Sequence, residues 1–86
     1  MLFYKIPNDR EHEFHGDARY YYVVSFDVPS KQYEGKIMVP SDEKLEEDDI
    51  FQAAQDYLMD HFKNVFGKVK FAAEVKILEA YDRMAE

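Results

Sequence analysis

The chain has no cysteine and no tryptophan, and threonine is missing as well. Without cysteine there is no disulfide framework, no thiol nucleophile and no cysteine-ligated zinc. The three glycines, Gly16, Gly35 and Gly67, stand far apart, so no glycine-rich loop can cradle a phosphate. No apolar run approaches the roughly 20 residues of a membrane-spanning helix. The opening MLFYKIPNDREHE also lacks the long apolar core of a secretory signal. A cytoplasmic location is therefore expected. Basic residues are in the minority, 11 against 18 acids, for a net charge of −7. That balance argues against direct binding of nucleic-acid phosphates or an anionic membrane, both of which attract cationic proteins.

What remains is enough to fold. The chain is 47% hydrophobic, with seven Tyr and seven Phe, which supplies one core and is incompatible with a disordered tail. At 86 residues there is room for one domain spanning 1–86 and no second core.

The charge is confined. Residues 42–60 contain eight acids (Asp42, Glu43, Glu46, Glu47, Asp48, Asp49, Asp56, Asp60) and one base, Lys44, while the ten acids and ten bases elsewhere cancel. The whole net charge therefore belongs to one segment.

Periodicity outlines the elements. Leu2, Tyr4 and Ile6 alternate with Phe3 and Lys5 in a short strand that Pro7 ends. Residues 8–18, NDREHEFHGDA, have loop composition. In RYYYVVSFDV, Tyr20, Tyr22, Val24, Phe26 and Val28 share a strand face. After the turn Pro29-Ser30-Lys31-Gln32, Tyr33, Ile37 and Val39 share another, which predicts a hairpin of 19–28 with 33–39. At 100° per residue, Ile50, Ala54, Tyr57, Leu58, Phe62 and Val65 fall in one apolar arc with Phe51 at its margin, predicting a helix over about 48–66. Asp49 and Gln52 have capping-box spacing, Asp48 is a second candidate N-cap, Pro40 blocks any start upstream of Ser41, and Gly67 ends the helix. Val69, Phe71, Ala73, Val75 and Ile77 alternate as a final strand; the composition after Glu79 leaves a helical ending open.

The expected fold is α+β: a small two-layer sandwich of order β-β-β-α-β, with an antiparallel sheet of about four strands packed on one amphipathic helix. One helix covers one face. The other face is expected to carry Phe3, Tyr21, Val23 and Met38, with Leu78, Lys36, Lys70 and Lys76 among them, and to lie open.

Few side chains carry chemistry. His12 and His15, three apart beside Glu13 and Asp17, are the only metal-like pattern, and a weak one without a third fixed ligand. His61 falls within the helix's apolar arc and is expected as a half-buried histidine. Ser25, Ser30 and Ser41 have no local partner that would activate them, and the abundant carboxylates lie on a solvated face. Tyr20 and Tyr22 point to the core, so the tyrosine run is core filling and not a base-stacking platform. No catalytic residue, cofactor or metal is assigned, and no enzyme is expected.

The expectation for function is a non-enzymatic regulator or inhibitor. Its carboxylate-rich helix start (Glu46, Glu47, Asp48, Asp49, Asp56, Asp60) would dock on a basic, nucleic-acid-binding surface of a larger protein, by analogy with phage-type anti-defence inhibitors. Helix capping asks for one or two acids, whereas six of the eight residues 42–49 are acidic. The alternative is an assembly module that homodimerises or docks through the open face at Phe3, Tyr21, Val23 and Met38.

Overall fold

The computed structural model describes residues 2–29, 32–66 and 74–85, with the backbone alone for residues 62 and 64–66. In chain order the elements are β1 (Phe3–Lys5), a 3-10 helix (Asn8–Glu13), β2 (Tyr20–Val28), β3 (Tyr33–Ser41), α1 (Glu47–Phe66) and β4 (Glu74–Asp82). The four strands form one sheet in the order β1-β4-β2-β3. The expected α+β class and single covering helix are what the chain adopts.

The sheet is mixed, not wholly antiparallel. Strand β2 pairs antiparallel with β3 (Tyr20 opposite Ser41, Val28 opposite Tyr33) and with β4. Strands β3 and β4 therefore run parallel on either side of β2, and only a crossover can join them. Helix α1 is that crossover. Strand β1 lies outside β4 and parallel to it, with Phe3 opposite Ala80 and Lys5 opposite Asp82.

The β2–β4 ladder slips by one residue, with Val23 opposite Glu79 but Val24 opposite Ile77, so that Leu78 is the extra residue of a bulge. Val75 and Ile77 before the bulge and Ala80 after it all pack on the helix side. Strand structure continues to Asp82, and residues 80–85 are not helical. The proposed strand start at 69–73, the turn residues 30–31, the inward side chains of 62 and 65 and the stop at 67 lie outside the described residues.

The main core is the helix-facing side of the sheet. Tyr20, Tyr22, Val24 and Val39 pack with Ile50, Ala54 and Ala80, and Leu58 packs with Phe26 and Val28. Ile50, Ala54, Tyr22, Val24 and Val28 are fully buried, which agrees with the strand alternation and the arc. Tyr57 departs from that arc: it sits at the arc's edge, is 54% exposed and stacks on His61 with ring centres 6.1 Å apart.

The helix also begins differently from its expected capping box. It opens at Glu47, with the Ile50 amide donating to the Glu46 carbonyl at 3.0 Å. Asp49 is thus inside the first turn, and Gln52 turns forward to donate to Asp56 Oδ1 at 2.9 Å.

The second sheet face is roofed at one end, contrary to expectation. Pro7 fixes extended backbone (φ −64°, ψ 136°) and the next six residues wind into the 3-10 helix, which delivers Phe14 onto the sheet. Phe14 is buried in a second core with Ile6, Tyr21 and Tyr81. It meets the Tyr21 and Tyr81 rings edge-on at 5.2 and 4.9 Å. Arg83 ties the loop down, donating to the Ala18 carbonyl (3.1 Å), the Gly16 carbonyl (3.2 Å) and the Tyr21 hydroxyl (3.1 Å), and pairing with Glu11. Tyr21 in turn donates to the Gly16 carbonyl at 2.9 Å. Gly16 has φ +84°, a backbone state open to glycine at little cost.

Candidate protein-docking surface

Two anchors hold the acidic segment against the sheet and leave its carboxylates outside. At the end of β3, the Glu43 amide donates to Ser41 Oγ at 3.1 Å, while that hydroxyl donates to the Glu43 carbonyl. Leu45 is half-buried against the main core, and its amide donates to the Tyr22 hydroxyl at 2.9 Å. Burial pushes the Tyr22 hydroxyl above its ordinary pKa. Ile50 is the next inward residue. Between these fixed points Asp42, Glu43, Glu46, Glu47, Asp48 and Asp49 are all exposed.

The array continues along α1. Asp48, Gln52, Asp56 and Asp60 follow at intervals of four, about 6 Å apart along the axis at 1.5 Å per residue, and all four are exposed. Met59, 57% exposed, sits among them.

Little neutralises these charges. Among the described residues the ion pairs are Arg10–Glu13, Arg19–Asp82 and Arg83–Glu11, none of which uses an acid of 42–60. The one base within the segment, Lys44, is turned onto the Phe3 ring, its Nζ 5.2 Å from the centroid. A depression of about 540 Å³ at the helix start is lined by Lys44, Leu45, Glu46, Glu47 and Asp48.

No family model, curated protein or solved structure matches the chain.

The residues of the alternative surface do not share one face. Phe3 lies on the helix side, tilted against Tyr20 (5.5 Å) and Tyr22 (6.1 Å), because it stands opposite Ala80 in the β1–β4 ladder. Tyr21 is 1% exposed beneath Phe14 and Arg83. Val23 and Met38 are half-buried at the rim of that second core, and beside them Leu78, at the bulge, is 40% exposed. A cleft of about 370 Å³ runs between this strip and the 3-10 helix, walled by Arg10 and Glu13. Beyond it the same sheet face turns polar, with Lys36, Ser25 and Lys76 in one row and Glu34, Asp27 and Glu74 in the next.

The remaining chemical candidates are dispersed. His12 and His15 are both exposed on or just after the 3-10 helix, and among the described residues no three metal-ligating side chains converge. Ser25 donates to the Lys76 carbonyl at 3.4 Å. His61 is half-buried beside Tyr57. Among the described residues no helix is long and apolar enough to cross a membrane.

Two further exposed residues lie on the helix beside these acids, and the sequence pattern does not assign them to the candidate surface. Tyr57 was expected inside, and Met59 carries no pattern of its own; its place 180° from the arc's start at Ile50 was the available signal.

Proposed function

We propose that the protein is a non-enzymatic acidic interaction protein whose helix start and outer helix face dock on a basic surface of a larger protein, imitating the phosphates of a nucleic acid. The observation that carries this reading is the absence, among the described residues, of any ion pair to the eight exposed acids of 42–60, while Lys44, the base within the segment, is turned onto the Phe3 ring. A fold that only needed solubility would gain as much from scattered charge. Concentrated on one ridge, the same charge produces a directional field that accelerates encounter with a cationic partner. Met59 supplies an apolar contact inside the ridge, of the kind that docking surfaces place among polar neighbours.

The alternative assembly reading is left with less surface, since Phe3 and Tyr21 are engaged within the fold.

The test is capture from host lysate at low and high salt, with the wild type and with a variant carrying E46Q, E47Q, D48N and D49N. The reading expects a nucleic-acid-handling protein that is released by salt, lost with the variant, and displaced from the wild type by added duplex DNA or RNA. Capture indifferent to salt, to the variant and to nucleic acid would refute it.

A further inference from the structure

Strand β3 is the edge of the sheet, and among the described residues nothing pairs with its outer side along Tyr33–Ser41. A proline is accommodated in a strand where its missing N–H would face outward. Pro40 therefore identifies the outward-facing peptide groups of this unbulged strand as those of the even-numbered residues, Glu34, Lys36 and Met38.

We propose that β3 pairs antiparallel with β3 of a second copy, across a two-fold axis at Gly35, to form a continuous eight-stranded sheet. Three features select this register. In an antiparallel pair, residues directly opposite lie on the same face. Centring on Gly35 places Glu34 opposite Lys36 of the second copy, twice, and no other register of the strand sets opposite charges together. Centring on Lys36 or Glu34 instead sets like charges face to face.

The second feature is Gly35 itself. A Cβ built there would come within 3.1 Å of Phe26 Cζ, so the Phe26 ring lies over the glycine, and it stacks on Tyr33 at 5.7 Å. With no side chain at the axis, the two aromatic pairs can meet over it, and Tyr33, 38% exposed, comes opposite the half-buried Ile37 of the second copy.

The third is long-range charge. The axis lies toward the Tyr33 end of β3, whereas α1 starts beyond the Ser41 end. The two Ser41 residues are then about 41 Å apart at 3.4 Å per residue, well outside the roughly 8 Å screening length of physiological salt. The two helix starts, with the acids of 42–49, are thus held at opposite ends of the paired strands.

Sedimentation equilibrium on the full chain, from micromolar to millimolar, tests the pairing. The wild type is expected to approach twice its 10.3 kDa mass. E34K and K36E should each weaken the dimer at least about tenfold by facing like charges. The double variant E34K/K36E should recover most of that loss, because the pair is restored in reverse. K36P removes an outward N–H, so it should keep the monomer's circular dichroism and abolish the dimer. K76E, on the same sheet face but away from the edge, should leave the dimer unchanged. A wild type that stays monomeric to millimolar concentration overturns the proposal. So does a dimer indifferent to the single reversals and to K36P, or one as sensitive to K76E as to K36E, which would move the interface onto the sheet face.

Discussion

The Phe14→Ala variant measures how much of the fold depends on the polar-looking segment between β1 and β2. Phe14 is 4% exposed and is the aromatic side chain that this segment buries on the sheet, beside Ile6. Truncating a buried phenylalanine costs about 3–5 kcal/mol. Two edge-on contacts with Tyr21 and Tyr81 are lost with it, yet a loop can settle partly into the space, so the lower end, about 3 kcal/mol, is expected. A chain of this size has a total stability of roughly 4–13 kcal/mol. The loss would lower Tm by about 12–24 °C at 4–8 °C per kcal/mol. Guanidinium unfolding followed by far-UV circular dichroism gives the free energy, and Phe14→Leu, which keeps most of the volume, should lose about 1 kcal/mol. Near-UV dichroism of the tyrosines should change in the Ala variant as Tyr21 and Tyr81 lose their neighbour. A loss below about 1 kcal/mol with an unchanged tyrosine signal would mean that the segment does not pack on the sheet, and that the second core is not part of the folding unit.

Three further outcomes follow from the same geometry. Tyr22→Phe removes the acceptor of the Leu45 amide in a fully buried position and should cost about 1–3 kcal/mol by equilibrium unfolding, without changing the charge of the ridge. Gly35→Ala should cost about 1 kcal/mol or more, because the new methyl must displace the Phe26 ring, and aromatic proton shifts would report the movement. The pH response has two limbs. Arg19, helped by the Met84 amide, holds the Asp82 carboxyl below its ordinary range, and Arg10 does the same for Glu13. Their stabilisation is complete above the unfolded-state values and is lost as pH falls through the lowered ones. Burial raises the hydroxyls of Tyr22 and Tyr81, the latter also donating to Glu79, so their contribution is complete below the unfolded value and disappears as pH rises through the raised ones. Carboxyl NMR titration that puts Asp82 at or above 3.8, or ultraviolet titration with Tyr22 ionising by 10.0, would contradict these assignments.

The sequence patterns that survived were those set by a strong local period. Tyr20, Tyr22, Val24, Phe26 and Val28 alternate over nine residues, and Ile50, Ala54 and Leu58 recur at helical spacing, so burial of each set follows from strand or helix geometry alone. What was not legible depended on partners distant in the chain. The three residues of β1 have too little pattern to reveal that they pair with 80–82, or in which direction, and that pairing puts Phe3 on the helix side. Phe14 was hidden among ten residues of loop composition, because one aromatic anchor makes no period. Tyr57 stands at the margin of its arc, where the sheet's width and not the helix decides burial. For the candidate surface, position and exposure of the acids were legible from their number and from the inward Leu45 and Ile50. Their lack of ion pairs was not, since it depends on where Arg10, Arg19 and Arg83 find partners.

The extra residue in β4 also bears on how the chain can change length. Removing or adding one residue inside a strand normally sends everything beyond it to the opposite face. At Leu78 that exchange has already been absorbed: Val23 pairs with Glu79 and Val24 with Ile77, leaving Leu78 without a place in the ladder. Deleting Leu78 would join two stretches whose pairings with β2 are already in phase, keeping Ile77 and Ala80 on the helix side. A single-codon loss there is an edit that this strand can accept in silence, while the same loss at Lys76 would put Glu74 and Val75 out of phase with β2.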